Sequence, residues 1–520
     1  MLATPLGGAL VVAGCAAPAL RLSERETEAI VAGIEQRVAA DRAAAHEVLA
    51  KGADARVPAD IDVPAVVSLG DALRIAAAHN RDLRTRRESV TLSAVALRNA
   101  RHDTGARLAG SVASVVSGGD GREMLRDESA ALSLTDLLPT GGEATLAGDV
   151  SRQHGLSDRA DSSADGSLVA RLRQPLLRGA GYESSHEQLT DAERQALYDV
   201  RDYDLARQDL ALRVQRDYYA LVSQHQVIRN RELSLESFEF LKRRSEALFQ
   251  VGRVSEVDKF RATREYLTAE NNLIDARQEF EARLDRFKIL LGLDTGVAFD
   301  IADEIPAPAE LALPLERAIA VALASRLDLM SARDQVDDAE RHVRVRERNM
   351  LPDLGVEAVR TWRSDPARGV GDLGRDDASY TLGVSLELPL DRVRERGELR
   401  RAQIELDRAR RGLALAEEQV ISDVRDSLRS LRSAENSYSI QERIVASEEK
   451  NAKVARLRFE QGEIGNRDLT DALIARADAQ DRLVRERANV ATARQQLLRD
   501  AGLMLMEEDG TWQDFVQPQR

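Results

Sequence analysis

From Ser184 to Val251 the sequence contains neither glycine nor proline, and most of its residues are strong helix formers. At about 1.5 Å of rise per residue, that run makes a helix roughly 100 Å long, far beyond the globular mean. It is interrupted at Gly252, and a second run free of glycine and proline continues to Leu291. The expected element is a very long helical hairpin whose turn lies within Leu248 to Ser255.

The hairpin recurs. A second one is expected from about Glu398 to Leu503, broken at Phe459-Glu460-Gln461-Gly462-Glu463-Ile464-Gly465. Gly252 aligns with Gly462, and Leu291-Gly292-Leu293 aligns with Ala501-Gly502-Leu503 at the same offset. Upstream, Ser68-Leu69-Gly70-Asp71-Ala72-Leu73 aligns with Pro314-Leu315-Glu316-Arg317-Ala318-Ile319, and Asp82-Leu83 with Asp328-Leu329. Ser68 is a fitting N-cap, with Asp71 three residues on. The helix it starts is expected to reach about Arg101. A repeat of about 200 residues is too long for a solenoid unit, so it reads as an internal duplication of helix, strands and long hairpin.

Between the helices the period falls from 3.6 to 2. In the first repeat, strands are expected within about 107–178. Leu168, Ala170 and Leu172 alternate there with Val169, Arg171 and Arg173, before Gln174-Pro175-Leu176-Leu177 ends the run. A further hairpin is expected around the turn Leu138-Pro139-Thr140-Gly141-Gly142. In the second repeat the strands fall within about 353–389, from Leu354 to Trp362 and from Tyr380 to Pro389. One apolar and one polar face describe a transmembrane barrel strand, and also an ordinary sheet with one solvated side. Two strands per repeat give four, or six to eight if the extra hairpin joins. Open edges cannot face lipid, and single-chain barrels start at eight strands, so four could close only by pooling strands between protomers.

Composition excludes several classes. Charged residues make up 31% and aromatics 4%, which suits long exposed helices. A net charge of -14 without a basic domain argues against nucleic acid. The one cysteine, Cys15, follows an apolar run in Val12-Ala13-Gly14-Cys15-Ala16. This resembles a bacterial lipobox, with 1–14 as signal peptide and Cys15 as the lipidation site, although no Lys or Arg precedes it. Residues 15–67 are expected to be an extension and linker, 68–292 the first repeat, 293–312 a linker, 313–504 the second repeat and 505–520 a tail. The histidines, including His79, His102 and His154, lack metal-ligand spacing. No catalytic constellation or cofactor motif stands out, so neither an enzyme nor a cofactor is expected. Tyr218-Tyr219 reads as packing.

Together the duplicated helix starts, the Gln174-Pro175-Leu176-Leu177 strand end and the paired breaks resemble the TolC-like outer membrane efflux protein family. The most specific match is Phe459-Glu460-Gln461-Gly462 followed by Asp468-Leu469-Thr470-Asp471-Ala472, and the resemblance spans about residues 68 to 504. It implies a mainly α fold with a transmembrane β part: a homotrimer whose twelve-stranded β-barrel continues into a periplasmic α-helical barrel. It also implies an outer-membrane duct in a tripartite efflux or type I secretion system. Its partners would be a periplasmic adaptor and an inner-membrane pump of RND or ABC type, beside the outer-membrane lipid.

By the same resemblance, Asp468 and Asp471 line the closed aperture and Asp258 belongs to its latch. Rings of carboxylates favour cations. Asp468 and Asp471 also read as helix-start acids favoured by the macrodipole. Ile464 stands where the best-known member has a gating arginine, and Phe459 replaces a latch tyrosine. Gly252, Arg253, Val254 and Ser255, with Gly462, Glu463, Ile464 and Gly465, read both as tight turns and as the tip that docks the adaptor. The alternative from another class is a non-conducting, lipid-anchored periplasmic coiled-coil scaffold.

Overall fold

The computed structural model describes residues 63–119, 122–155, 163–303, 305–306, 311, 313–364, 373–507 and 509–513. Cys15, the expected signal peptide 1–14 and the expected extension up to residue 62 lie outside the described residues.

A two-residue strand β1 (Val66–Val67) opens the first repeat, followed by α1 (Leu69–His79) and α2 (Arg81–Thr104). Next come β2 (Arg107–Gly119), β3 (Arg122–Leu137), β4 (Glu143–Gly155) and β5 (Ser163–Pro175). One helical turn, α3 (Tyr182–Ser185), leads into the first hairpin, α4 (Glu187–Gln250) and α5 (Glu256–Leu291). After β6 (Asp300–Ile301) the order returns: α6 (Leu315–Ser325), α7 (Leu327–Asn349), β7 (Asp353–Ser364), β8 (Leu373–Glu387), then the hairpin α8 (Val393–Gln461) and α9 (Asn466–Asp500). A small ribbon of β9 (Leu505–Met506) and β10 (Trp512–Gln513) ends the described chain. Among the described residues no helix is long and apolar enough to cross a membrane.

Ser68 caps α1 in a full capping box with Asp71. The helix expected to run on to Arg101 is instead two helices, broken at Asn80. Its side chain accepts from the Leu83 N–H at 2.9 Å and donates to the Leu290 carbonyl at 2.7 Å. The second repeat breaks at Arg326, which pairs with Asp328 at 2.6 Å and Asp423 at 2.9 Å. Each long hairpin ends against its break. Gly292 sits at φ +80, and a Cβ there would lie 2.1 Å from the His79 carbonyl oxygen. That contact explains why Leu291-Gly292-Leu293 recurs as Ala501-Gly502-Leu503: only glycine lets the helix end tuck under the break.

Each repeat packs its own core where short and long helices meet. The first buries Ile75, Tyr218, Phe287 and Leu291; the second buries Leu329, Val424, Leu428 and Leu497. Tyr218 fills a core as expected, and its hydroxyl also donates to the Ala302 carbonyl at 2.8 Å, which pins the parallel β1–β6 pair. Farther along the hairpins the buried positions thin to a narrow stripe, the pattern of a coiled-coil seam.

The main sheet has six strands in the order β2-β3-β4-β5-β7-β8, all antiparallel. That is two more than the four the resemblance implies for one protomer. The extra pair is the hairpin around Leu138–Gly142, and the offset between repeats locates it. Asp82 and Asp328 are 246 positions apart, whereas Gly252 and Gly462 are 210 apart. The first repeat thus holds 36 more residues between these markers, close to the span of β3 and β4.

Candidate functional site: the sheet wall and the hairpin tips

Two regions carry functional geometry. The first is the sheet. Cross-strand register places Leu134, Leu146, Ala170, Arg360 and Tyr380 in one row, with Leu132, Leu168 and Trp362 in the next on the same face. The opposite face carries Thr135, Thr145, Arg171 and Thr381 in one row, and Ser133, Val169, Thr361 and Ser379 in another. The apolar face is bare: Leu382 is 74% exposed and Val384 75%. On the polar face Arg171 pairs with Glu357 at 3.1 Å. The one basic side chain within these apolar rows, Arg360, holds its guanidinium over the Trp362 ring at 5.1 Å. The six strands run 12 to 16 residues, enough to span a bilayer at an ordinary tilt.

The second region is the pair of turns. In the first, the Gly252 N–H donates to Phe249 O and the Arg253 N–H to Leu248 O, both at 2.9 Å. In the second, the Gly462 N–H donates to Phe459 O at 3.1 Å and the Glu463 N–H to Arg458 O at 2.9 Å. Both are Schellman motifs, which need a left-handed residue after the helix. Gly252 (φ 71) and Gly462 (φ 79) supply it, and the space around each is open. Ser255 caps α5 by accepting from the Asp258 N–H at 3.2 Å. The Asp258 carboxylate stays on its own helix, accepting from the Ser255 hydroxyl at 2.6 Å and facing Arg261 at 3.6 Å. Asp468 and Asp471 lie exposed on the first turns of α9, with Arg467 3.8 Å from Asp471. Arg253, Glu463 and Gly465 are exposed, while Val254 and Ile464 are half-buried. Ile464 packs against a core of Phe238, Leu241, Phe459 and Leu469 that joins the two hairpins just behind the tips.

Sequence reasoning missed the polar groups of that junction. Arg244, on α4, lays its guanidinium over the Phe459 ring at 4.9 Å and donates to the carbonyls of Phe459 (3.4 Å) and Glu460 (3.2 Å) at the end of α8. A cation at a helix C-terminus is favoured by the dipole, so Phe459 supports a cross-hairpin link without a hydroxyl. Buried Asn466 donates to Ser245 at 2.7 Å and to the Asp258 carbonyl at 3.3 Å, tying α9 to both helices of the first hairpin. Asn466, just after a glycine turn, was the one legible hint. Arg244 is one arginine among many on a charged helix.

Residues 318–503 match the model of the outer membrane efflux protein family. The Campylobacter jejuni CmeC outer membrane channel superposes with a TM-score of 0.64 at 16% identity, covering 84% of this chain and 85% of that one. The Vibrio cholerae outer membrane protein VceC gives 0.62 at 14% identity, with 84% and 96% covered. The open-state Neisseria gonorrhoeae MtrE outer membrane channel gives 0.59 at 15%, with 86% and 94% covered. This is the outer-membrane channel fold. No curated protein is detectably similar in sequence.

Within the channel fold, α4 and α7 are stitched by charge. Asp191 accepts from Arg341 at 2.7 Å and meets His342 Nε2 at 3.0 Å, and Glu187 completes a cluster that local spacing does not reveal. The Asp191 contact, opposed by burial, raises the His342 pKa above its usual value. Burial works against the Asp191 anion, but His342 and Arg341 together hold its pKa below the ordinary one. A raised histidine pKa stabilises below the unfolded value of about 6.5 and loses that contribution as pH climbs through the folded one. His342→Gln is therefore expected to lower the thermal midpoint at pH 5.5 and to match the parent at pH 9. Both partners are over a third exposed, so the effect stays under about 1 kcal/mol. An equal difference at both pH values would remove charge from the explanation.

Proposed function

We propose that this chain is the outer-membrane duct of a tripartite efflux or secretion assembly, passing substrates from an inner-membrane pump and periplasmic adaptor out of the cell. The observation that carries the reading is the two-faced sheet. Its apolar side fits lipid, its polar side fits a water-filled lumen, and among the described residues the outer edges of β2 and β8 have no partner strand. Unpaired edges are untenable in hydrocarbon, so the sheet closes with copies of itself. Even strand numbers let it close: β2 leaves the helical end and β8 returns to it, so neighbouring copies meet antiparallel.

The long helices support the same closure. On α5, Phe260, Leu267 and Ile274 recur every seven residues and are 60%, 55% and 50% exposed. Such a stripe suits side-by-side packing of helices between copies in a periplasmic helical barrel. Three copies is the number we assign. Lipid on Cys15 adds an auxiliary anchor, since one chain holds only weakly while the barrel holds regardless. A non-conducting scaffold has no use for a sheet with a bare apolar face.

In the assembled trimer the glycine turns form the periplasmic tip. Gly252 with Arg253, Val254 and Ser255, and Gly462 with Glu463, Ile464 and Gly465, meet the adaptor there. Gly462→Leu forces a left-handed backbone at a site otherwise open, a strain of about 1–2 kcal/mol per copy. The variant is expected to retain a heat-resistant trimer yet lose most export of the partner pump's substrate. Export at the parent's rate would rule out docking at Gly462.

A further inference from the structure

We propose that hairpin β3–β4 is a built-in part of the barrel wall, so that three copies make eighteen strands rather than twelve and the outer-membrane passage is correspondingly wide. This deepens the duct reading and rests on its trimer.

Three observations place the hairpin in the wall. First, it is paired along nearly its whole length on both sides: β3 to β2 from Arg107↔Thr135 to Gly119↔Arg122, and β4 to β5 from Glu143↔Arg173 to Gln153↔Ser163. No ladder joins β2 to β5 directly. Second, over 129–135 and 145–151 its side chains obey the same inside-outside rule as the other strands, with Asp136 the acidic exception on the apolar face at the helical end. Leu132, Leu134, Leu146 and Val150 extend the apolar face, all 43% to 56% exposed, while Ser133, Thr135, Thr145 and Asp149 extend the polar face. An extracellular flap has no reason to keep a bare apolar face in register with a membrane wall. Third, its turn is locked to the helical end. Thr140 donates to the Gln174 side chain at 2.7 Å, Gln174 donates back to the Thr140 carbonyl at 3.1 Å, and the Gly181 N–H donates to that carbonyl at 2.8 Å. Gly141 (φ +86) lies so close that a Cβ would be 2.4 Å from the Gly179 carbonyl oxygen. The turn is anchored where the sheet meets the helices.

Width follows from strand number. With strands about 4.8 Å apart and tilted about 40°, each adds roughly 2 Å of diameter, giving about 24 Å for twelve strands and about 36 Å for eighteen. Side chains fill about 5 Å on each side, half the usual spacing between packed sheets, leaving bores of about 14 and 26 Å. A helix with side chains is about 10–12 Å across. The narrower bore admits one helix or a small solute; the wider one clears a helical hairpin or a bulky hydrated polymer.

Cysteine pairs on the lumen face test the wall within each chain. Ala109, Ser133, Ala147 and Val169 lie in one row across β2, β3, β4 and β5. In isolated outer membranes, Ala109→Cys with Ser133→Cys, and Ala147→Cys with Val169→Cys, are expected to form intrachain disulfides on oxidation. Ala109→Cys with Val169→Cys is expected not to. A bridge in that last pair with none in the first two means the hairpin is expelled, and the proposal falls. As a second readout, replacing the segment between Gly119 and Ser163 with a short turn is expected to narrow the barrel in electron-microscopic projection by about a third. A parent barrel already as narrow as the variant also overturns it. A chain that forms no trimer instead defeats the duct reading, while the disulfides still decide whether β3 and β4 stand in the sheet.

Discussion

Leu382→Arg is expected to abolish the heat-resistant trimer in outer-membrane fractions, while Ser379→Arg on the same strand leaves it intact. The two positions lie three apart on β8 and therefore on opposite faces of the sheet. Leu382 shares its row with Leu172 and Ala358, with Asp136 two strands beyond Leu172, and none of the described residues covers it: it is 74% exposed. In a bilayer, an arginine on that face costs about 2–4 kcal/mol near the mid-plane, hence about 6–12 kcal/mol across three copies. Ser379 lies in a row with Thr361 and Val169 on the polar face, where a new arginine stays hydrated. Comparing unheated and boiled samples on denaturing gels reads the outcome. If both variants trimerise equally, the apolar face does not meet lipid.

The second large effect concerns the tip. Replacing both Asp468 and Asp471 with Asn is expected to reduce cation preference severalfold without loss of trimer. Both side chains are exposed, one helical turn apart on α9, and neither is needed by the buried link through Asn466. In the proposed trimer they stack as two rings, six carboxylates around one constriction, which attracts cations and repels anions. The acids are also favoured by the positive end of α9, so their neutralisation costs a few tenths of a kcal/mol of helix stability. Reversal potentials in a salt gradient separate the two roles. An unchanged reversal potential leaves only the helix-start role.

Much of this architecture was legible in the sequence because it is written in local terms. Runs without glycine or proline fixed the long helices, the repeated Gly252 and Gly462 fixed their turns, and strict alternation around Leu168 and Tyr380 fixed two-faced strands. What stayed hidden depends on partners far away in sequence. The break at Asn80 has no glycine or proline; it exists because its amide reaches Leu290. The β1–β6 pair is two residues long and is held by Tyr218. Arg244 gains its role only once Phe459 arrives from the other hairpin. His342 meets Asp191 across 151 positions. Hairpin β3–β4 was legible as a hairpin, but its place in the wall depends on pairing at both edges and on Gln174 gripping Thr140.

Closure of several copies of this chain into a conducting duct is open to direct test. The most direct measurement is single-channel recording of the purified full-length protein in a planar bilayer. A conducting duct is expected to give discrete, cation-preferring currents from a species that runs as a trimer until boiled. A stable trimer that inserts and stays electrically silent under every voltage and salt gradient, including with both Asp468 and Asp471 neutralised, would contradict it.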